Sequence, residues 1–494
     1  MEKNNLDVNK WMIFLPQVFA AVVATSLQSV VGQILSYSGI LIPQLLEEQK
    51  YTNGSDIIVT KVNSAWIASA PVFSCLIVSV PAGMLVDHIG RLKTIMLSSI
   101  PGVIGHALIA TATSMSVIIW GRIITGICFV LISNPVAVYI SEISSPNLRG
   151  SFLGIMQVNF SIGMVLVYLQ GWIMHWRTVA WLTNLFIAVP IILMFFFLPE
   201  SPAWLVSKGR TEQARNSLAW FYRYYPPNSN IVEEKLVDIL RDQQRKQINL
   251  KFKWKEHIKL FFLPTFYKPF LMLMVLYFFQ QNSGIFIIVF NSVIFFKDIG
   301  SNIDPYVASV YLSGIKVTTS VIAIWLMNKF NRRTLLMISS VGMAVSMIIS
   351  GLNTQWIQAD TSNHEWVPLV GLLLYILFSC LGVAPMAFIL TGELFPLKIR
   401  GISYSLVMSY VNIISFFVLQ TYLPLLHLLG GSANLQYYFA IMAIAVAVVV
   451  YLFLPETHNF KLIEIEQHFK RHTLYLASRY ADEARASRVS DNLL

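Results

Sequence analysis

The sequence predicts an all-α membrane protein with twelve transmembrane helices, arranged as two related halves of six helices each. Two observations predict this fold. The chain of 494 residues is 56% hydrophobic and only 12% charged, whereas soluble domains carry about 25% charged residues. Three short motifs also occur twice, in the same order, once in each half of the chain. Two parallel repeats in a membrane chain are typical of transporters whose substrate site lies between the halves, near the middle of the bilayer.

Twelve runs of apolar residues account for the predicted helices. A helix that crosses roughly 30 Å of hydrocarbon needs about 20 apolar residues. Six such runs precede residue 199 and six follow residue 265. The predicted spans are 17 to 42, 62 to 85, 93 to 113, 116 to 140, 151 to 171, 178 to 198, 268 to 296, 305 to 327, 334 to 352, 366 to 391, 402 to 427 and 435 to 454.

These spans divide the chain into five predicted segments. They are a cytoplasmic N-tail (1–16), an N-terminal six-helix half (17–198), a small cytoplasmic helical domain (199–266), a C-terminal six-helix half (267–454) and a cytoplasmic C-tail (455–494). In the cytoplasmic domain, Ser201 is placed to cap a helix that begins at Pro202, because serine favours the N-cap and proline the first helical position.

The distribution of Lys and Arg predicts that both termini are cytoplasmic. Cytoplasmic loops near helix ends are enriched in these residues, and 29 of the 35 lie in the tails or in the loops on the same side. The outer loops hold only Lys50, Lys61, Arg177 and Lys297. The net charge of +10 therefore indicates contact with anionic membrane lipid, and no nucleic-acid partner is predicted.

The sequence predicts no disulfide framework, metal site or cofactor. Cys75, Cys128 and Cys380 all fall inside predicted helices and are interpreted as small buried apolar residues. Asn53 begins an Asn-Gly-Ser sequon in the outer loop after the first helix, which predicts glycosylation. No nucleotide motif and no cluster of nucleophile, base or metal ligands lies in the helices, so we do not expect an enzyme.

The duplicated motifs place charges of both signs at the predicted cytoplasmic ends of helices. The first set contains Asp87, Arg91, Glu142, Arg149 and Glu200; the second contains Asn328, Arg332, Arg333, Glu393, Arg400 and Glu456. We match Arg91, Glu142 and Arg149 with Arg333, Glu393 and Arg400, respectively, and expect salt-bridge networks. The alternative is that these residues only orient the chain in the membrane. Because Asn328 replaces the acid expected opposite Asp87, we expect the second network to be weaker.

On this topology, the motifs resemble those of the sugar porter branch of the major facilitator superfamily, and more closely its insect trehalose-transporter-like members. The resemblance covers nearly the whole chain and adds Gly121-Arg122, Gln280-Gln281-x-Ser283-Gly284 and Gly392-Glu393 to the motifs above. It implies a plasma-membrane carrier that moves a hexose or trehalose by alternating access, without a cofactor or an obligate protein partner. It also implies that the charge networks lock the outward-open state, with Glu200 and Glu456 joining from the loops.

Uncharged polar side chains inside the predicted helices mark the predicted substrate site. Gln280, Ser283 and Gly284 share one face of helix 7 by their spacing, and Gln281 is adjacent. Amides offer the donors and acceptors that suit sugar hydroxyls. Gln157 in helix 5 matches a sugar-contacting glutamine of the family. The alternative for these amides is that they only join neighbouring helices.

Four residues of the predicted site depart from the family pattern. Phe286 stands where the family has a sugar-contacting asparagine, and Lys316 stands at the comparable position of helix 8. Phe388 replaces a tryptophan of helix 10, and Val411-Asn412 replaces an Asn-Trp pair of helix 11. Phenylalanine for tryptophan keeps a stacking face, whereas phenylalanine for asparagine removes two hydrogen-bonding functions. The identity of the substrate therefore stays open.

Lys316 is the most unusual of these residues. An ionisable group near the bilayer centre costs roughly 2.5 to 3.5 kcal/mol and usually faces a cavity or a partner. Lys316 either binds an anionic group of the substrate, stays uncharged, or extends its amine to the interface. Two rival functions follow: a sugar sensor that does not transport, and a carrier of a small organic anion that uses Lys316 as the counter-charge.

The sequence also indicates whether transport is coupled to protons and which helix acts as a gate. Proton-driven members of the family carry an acid in helix 1, and residues 17 to 42 contain none, which favours facilitated diffusion. His106 in helix 3 can titrate, although a single histidine in an apolar helix is more typical of a hydrogen-bonded structural residue. Pro385 and its small neighbours permit helix 10 to bend, so we expect this helix to act as a gate.

Overall fold

The computed structural model describes residues 12–51, 57–225, 230–250, 261–300, 303–359, 361, 366–396, 399–457 and 468–470. The regular secondary structure of this part of the chain is helical throughout. The all-α prediction is therefore confirmed for the described residues.

The helices of the first half of the chain follow the predicted apolar runs. After a 3-10 turn at Met12–Phe14 come α1 (Leu15–Ser36), α2 (Ser38–Tyr51), α3 (Lys61–Ile89), α4 (Arg91–Leu97), α5 (Ser99–Ala110), α6 (Met115–Ile143), α7 (Pro146–Ile173) and α8 (Trp176–Phe197). Three further helices follow in the segment predicted as a separate helical domain: α9 (Pro202–Ser207), α10 (Thr211–Phe221) and α11 (Ile231–Leu250).

The second half of the chain contains nine helices among its described residues. They are α12 (Pro264–Asn282), α13 (Ile285–Phe290), α14 (Ser292–Ile299), α15 (Pro305–Lys329), α16 (Arg332–Gln358), α17 (Trp366–Leu381), α18 (Val383–Glu393), α19 (Arg400–Leu428) and α20 (Ser432–Phe453). The predicted helices 7 and 10 are thus each divided, the first among α12, α13 and α14 and the second between α17 and α18.

Eleven helical stretches in the described part of the chain are long and apolar enough to cross a membrane. The predicted span 268 to 296 is not among them, because its residues are shared by three helices. The count of twelve membrane helices therefore remains a prediction, whereas several membrane-spanning helices are established by their length and composition.

The packing divides the chain into two compact units. The first unit comprises Met1–Tyr37, Thr52–Ile58 and Phe73–Phe252, and the second comprises Ser38–Tyr51, Val59–Val72 and Lys253–Leu494. The second unit thus takes in α2 and part of α3, which the sequence repeat assigns to the N-terminal half. The division at residues 198 and 267 rests on the repeat and stays a prediction.

In the first unit, close packing of α1 on α7 depends on two glycines. A Cβ atom at Gly32 would overlap the carbonyl oxygen of Phe160, and one at Gly163 would overlap that of Ser29. The buried side chain of Arg122 on α6 donates from Nη1 to the carbonyl oxygen of Ile34 at 2.5 Å. The Arg122 side chain thus ties α6 to the backbone of α1.

The helices α9, α10 and α11 form a small core of their own in the first unit. Its buried residues are Trp204, Leu205, Val206, Ala214, Leu218 and Leu236. Ser201 caps α9 by accepting a hydrogen bond from the backbone N–H of Trp204 at 3.3 Å, and Pro202 occupies the start of the helix. The predicted cap is therefore confirmed.

Four isolated polar or sulfur-containing residues also agree with the predictions made for them. Cys75, Cys128 and Cys380 are buried free thiols. His106 is buried, and its Nδ1 lies 2.8 Å from the carbonyl oxygen of Gly102. This contact is the structural hydrogen bond expected of a histidine in an apolar helix.

Candidate functional site

The run predicted as helix 7 breaks at Gly284. α12 ends at Asn282, and Gly284 adopts a φ of +90° before α13 begins. Only glycine adopts this left-handed conformation without a steric cost. A Cβ atom at Gly284 would also lie 2.6 Å from the ring of Phe439. The glycine of the Gln280-Gln281-x-Ser283-Gly284 motif is therefore required by the backbone at the break.

Helix 10 breaks at Gly382, three residues before Pro385. Because Pro385 has no N–H group, it cannot donate to the carbonyl of Leu381 as a helical residue would. The hydroxyl of Ser339 on α16 spans this break: it donates to the carbonyl oxygen of Phe378 at 2.6 Å and accepts from the N–H of Val383 at 2.9 Å. Ser339 thus satisfies backbone groups on both sides of the interruption.

The two breaks are joined by a reciprocal pair of hydrogen bonds. Gln280 donates from Nε2 to the carbonyl oxygen of Val383 at 2.8 Å. Val383 is the first residue after the break in helix 10. Tyr375 of α17 donates from its hydroxyl to the carbonyl oxygen of Ser283 at 2.7 Å, beside the break in helix 7. Each broken helix therefore supplies a side chain that satisfies the backbone of the other.

Gln281 presents a buried amide that no described residue satisfies. Its exposed fraction is 0%, and neither Oε1 nor Nε2 has a hydrogen-bond partner among the described residues. The same is true of Oε1 of Gln280. A buried polar group without a partner costs about 1 to 3 kcal/mol. Three such atoms on adjacent residues are typical of a place where a polar ligand or water binds.

The other residues of the predicted site are distributed as follows. Phe286 is half-buried, with its ring 5.4 Å from that of Phe290, and Phe388 is 39% exposed, with its ring 6.0 Å from that of Tyr277. Asn412 is half-buried on α19. Six of the seven predicted substrate residues thus lie in the second unit, and they are Gln280, Gln281, Phe286, Lys316, Phe388 and Asn412. The seventh, Gln157, is an exposed residue of α7 in the first unit.

Lys316 lies on a buried polar face of α15. Its exposed fraction is 6%, and Ser309, Ser313 and Ser320 on the same face are buried as well. The Lys316 amine is close enough to Cys380 on α17 for the two side chains to interact electrostatically. The lysine is therefore enclosed against the helix that carries the second break.

The first charged cluster joins α4 to the ends of α3 and α6. Arg91 binds both carboxylate oxygens of Glu142, with Nη2 at 3.0 Å from Oε1 and Nε at 3.0 Å from Oε2. It also contacts Asp87, with Nη1 at 3.2 Å from Oδ1. Since a guanidinium that binds two carboxylate oxygens is held in orientation as well as in distance, this contact fixes α4 against α6.

A loop carboxylate completes the first cluster. Glu200 accepts hydrogen bonds at 3.0 Å from the backbone N–H groups of Arg91 and Leu92, at the start of α4. A carboxylate at this position satisfies N–H groups that have no partner within the helix and interacts favourably with the helix dipole. The adjacent Ser201 donates from its hydroxyl to Glu142. The Pro-Glu-Ser-Pro loop is thereby bound to both helices.

The second charged cluster repeats this arrangement with different residues. Arg332 Nη2 lies 3.5 Å from Oε1 of Glu393, and the N–H groups of Arg332 and Arg333 donate to Glu456 at 3.0 and 3.2 Å. Thr457 donates from its hydroxyl to Oε2 of Glu393 at 2.7 Å. Arg332 rather than Arg333 therefore occupies the position of Arg91, which corrects the pairing made from the sequence.

Arg149, Arg333 and Arg400 were also predicted to belong to these clusters. Arg149 is exposed and forms no ion pair with a described residue. Arg333 donates from Nη2 to the carbonyl oxygen of Tyr451 at 2.7 Å. Arg400 begins α19, but its side chain lies outside the described part of the structure, and so does Asn53 with its sequon. Ser339 and Tyr375, which satisfy the broken helices, were not identified from the sequence because their partners are distant in the chain.

Comparison with known proteins places these features in a family. A family model described as sugar (and other) transporter matches residues 17–469. The facilitated trehalose transporter Tret1 of Bombyx mori is 31% identical over 411 residues, which cover 83% of this chain and 79% of the relative. Tret1 of Polypedilum vanderplanki is 28% identical over 91% of this chain and 87% of its own. Tret1 of Drosophila yakuba is 30% identical over 91% of this chain, which spans only about half (51%) of that relative.

Solved structures share the fold at lower identity. The inward-open xylose transporter XylE from E. coli superimposes with a TM-score of 0.74 at 20% identity, over 91% of this chain and 99% of that one. XylE bound to 6-bromo-6-deoxy-D-glucose gives a TM-score of 0.72 at 19% identity, over 92% and 100%. The chain therefore has the fold of the major facilitator superfamily. Since the family model matches most of its length, this multi-pass membrane protein belongs to the sugar (and other) transporter family.

Proposed function

We propose that this chain is a facilitative carrier that moves a sugar, either a hexose or trehalose, across the plasma membrane by alternating access. The observation that carries the proposal is the buried amide of Gln281, whose two polar atoms have no partner among the described residues. A sugar hydroxyl both donates and accepts hydrogen bonds, so it can satisfy the amide oxygen and the amide nitrogen together. The names of the relatives support a sugar as the substrate.

The neighbouring Gln280 extends this site in a defined way. Its Nε2 already donates to the carbonyl oxygen of Val383, which leaves Oε1 as an acceptor. A substrate hydroxyl that donates to Oε1 of Gln280 would therefore contact a side chain that also binds the break in helix 10. Substrate binding at the glutamine pair is thus linked to both helix breaks, which is the linkage that a substrate-operated gate requires.

The topology of the carrier forms part of the same proposal. We assign twelve membrane helices, with α12, α13 and α14 together forming the seventh, and we place both termini and the α9–α11 core in the cytoplasm. The excess of Lys and Arg on that side supports this orientation. Asn53 then lies outside the cell, where its sequon is open to glycosylation. Anionic membrane lipid is the expected partner of the basic side.

Counterflow of labelled sugar into proteoliposomes tests the proposal. Proteoliposomes that contain the purified protein are loaded with unlabelled glucose or trehalose. Entry of the labelled sugar is then compared between the wild type and a Gln280→Ala, Gln281→Ala double variant. We expect exchange in the wild type and its loss in the double variant. Asn282→Ala is a matched control, because the Asn282 amide already bonds to Phe278 and Tyr438 at 2.9 and 3.2 Å.

The outcomes separate the carrier from its rivals. Equal exchange by the wild type and the double variant would contradict a substrate site at Gln280 and Gln281. Binding of a sugar without exchange of any sugar would instead support a sensor. Because counterflow needs no driving gradient, the coupling mechanism does not affect the result.

A second candidate function rests on the enclosed lysine. Lys316 is a buried basic residue that departs from the family pattern, and in its charged form it can neutralise an anionic substrate. Under this alternative the chain carries a small organic anion. Counterflow of a labelled small carboxylate with Lys316→Asn decides between the two: loss of anion exchange supports the second candidate, and gain of sugar exchange supports the first.

A further inference from the structure

A cavity in the first unit lies beside the first charged cluster, and its lining does not include the glutamine pair. It has a volume of about 470 Å³ and is bounded by the end of α6, the start of α7 and the helices α9, α10 and α11. Pockets that bind small molecules typically have volumes of about 300 to 1,000 Å³. The cavity is therefore large enough for a small metabolite.

One side of this cavity is suited to a phosphate group. Arg149 from the first turn of α7 and Lys235 from α11 both line it, so two separate elements contribute cations. The backbone N–H groups of Leu148 and Arg149 already donate to the carbonyl oxygen of Ser145, so the two cationic side chains are the groups that would bind the phosphate. Ser145, which precedes α7, also lines the cavity, and its hydroxyl is buried without a partner among the described residues.

The other side of the cavity is suited to a polyhydroxyl group. Asp238 and Asp242 lie one turn apart on α11 and line the cavity beside Tyr222. Carboxylates accept hydrogen bonds from hydroxyl groups but repel a bare anion. Burial raises the pKa of Tyr222, so its hydroxyl remains protonated at neutral pH and can donate. An isolated phosphate would contact the two cations but leave the carboxylates without donors, whereas a ligand with hydroxyls next to a phosphate makes use of both sides.

We propose that this cavity binds a sugar phosphate, with the phosphate at Arg149 and Lys235 and the sugar hydroxyls at Asp238 and Asp242. Glu142 lines the same cavity while its carboxylate holds Arg91 and Ser201. A ligand seated there adds contacts to α6 and α7 in the arrangement that the cluster stabilises. Occupancy therefore strengthens the first charged cluster and gives the cell a means to slow the carrier when phosphorylated sugar accumulates.

Direct binding to the purified full-length protein tests this inference, and because it needs no transport, its result is independent of the proposed function. The probes are glucose 6-phosphate, glucose and inorganic phosphate, each titrated by calorimetry. We expect saturable binding of glucose 6-phosphate that persists in Gln281→Ala, and much weaker binding of inorganic phosphate. Any binding of glucose at the glutamine pair is recognised by its loss in Gln281→Ala. Lys235→Gln should weaken glucose 6-phosphate binding by about tenfold or more, since it removes a charged hydrogen bond.

The control variant is Arg241→Gln, which removes an exposed charge from the same helix at a position that does not line the cavity. We expect it to leave the affinity unchanged. Absence of saturable binding, an equal affinity in Lys235→Gln, or an affinity for inorganic phosphate as high as that for glucose 6-phosphate would each overturn the assignment.

The link to the charged cluster has its own readout. Ser201 does not line the cavity, but its hydroxyl holds Glu142. Because coupling between two sites is reciprocal, Ser201→Ala should weaken glucose 6-phosphate binding severalfold if the ligand strengthens the cluster. An unchanged affinity in Ser201→Ala would contradict this link and leave a binding site that does not act on the cluster.

Discussion

The two charged clusters are built from the same parts but are not equally tight. In each, an arginine at the start of a helix binds a glutamate, a second glutamate from a Pro-Glu loop accepts the N–H groups of that helix, and the hydroxyl after it donates to the first glutamate. Arg91 reaches both oxygens of Glu142 at 3.0 Å, whereas Arg332 approaches Glu393 only to 3.5 Å. The difference indicates that the first cluster is the stronger restraint.

The residue before each arginine also differs between the clusters. Gly90 precedes Arg91 with a φ of +116°, and a Cβ atom there would lie 2.5 Å from Oε2 of Glu200. Asn331 precedes Arg332 in ordinary extended geometry, with a φ of −62°. The loop carboxylate nevertheless comes equally close in both clusters, since Glu200 and Glu456 each accept at 3.0 Å from the N–H of the first arginine. The two clusters therefore differ in the contact between arginine and central glutamate, and not in the contact with the loop.

The largest difference between the clusters should follow from replacing the central glutamate, which is the one that the arginine side chain binds. Glu142→Ala leaves the guanidinium of Arg91, which is 12% exposed, without its main partner. We expect a loss of roughly 2 to 4 kcal/mol in stability, against roughly 1 to 2 kcal/mol for Glu393→Ala. Thermal unfolding of the purified protein, followed by the fluorescence of its tryptophans, measures both. Equal shifts of the two midpoints would refute the inequality of the clusters.

Removal of the loop hydroxyls should have an intermediate effect. Ser201→Ala and Thr457→Val each delete one hydrogen bond to the central glutamate and keep the size of the side chain nearly unchanged. We expect Thr457→Val to cost about 1 to 2 kcal/mol, because a hydrogen bond to a charged group is lost. Ser201→Ala should cost more, because it also removes the cap of α9, which is worth about 0.5 to 2 kcal/mol. The same unfolding assay measures this, with Ser207→Ala as a control whose hydroxyl only bonds within α9. No shift relative to that control would show that the hydroxyls do not support the clusters.

Replacement of Asp87, or of Asn328 at the matching position, should have the smallest effect. The Asp87 side chain is 78% exposed, so its ion pair with Arg91 is worth about 1 kcal/mol or less. Asp87→Asn should lower the unfolding midpoint slightly, and Asn328→Asp should raise it slightly by adding an acid one turn before Arg332. Because exposed ion pairs are screened by salt, both shifts should shrink at high ionic strength. Shifts that are insensitive to salt would argue against an electrostatic origin.

The features that the sequence predicted are those whose signal is local. Apolar length identified the helices, and the order of the motifs identified Glu142, Glu200, Glu393 and Glu456, since each belongs to a short run of characteristic residues. The choice between Arg332 and Arg333 was not predictable in this way, because two adjacent arginines fit the motif equally well. Only their contacts with Glu393 and Glu456 distinguish them.

The helix breaks show the same limit. Pro385 was visible in the sequence as a residue that permits a bend, whereas the apolar run around Gly284 predicted a single helix. Ser339 and Tyr375 satisfy the freed backbone groups from partners that are far away in the chain. A buried tyrosine hydroxyl requires a hydrogen-bond partner. This is the one signal that could have drawn attention to Tyr375, and it does not reveal which partner the hydroxyl binds.

Equilibrium binding of labelled glucose and labelled trehalose to the purified protein tests the central claim, that a sugar satisfies the buried amide of Gln281. The wild type is compared with Gln281→Ala and with the control Asn282→Ala. We predict saturable binding of one of these sugars to the wild type and to Asn282→Ala, weakened by about tenfold or more in Gln281→Ala. An affinity for that sugar that is the same in Gln281→Ala as in the wild type would contradict the account.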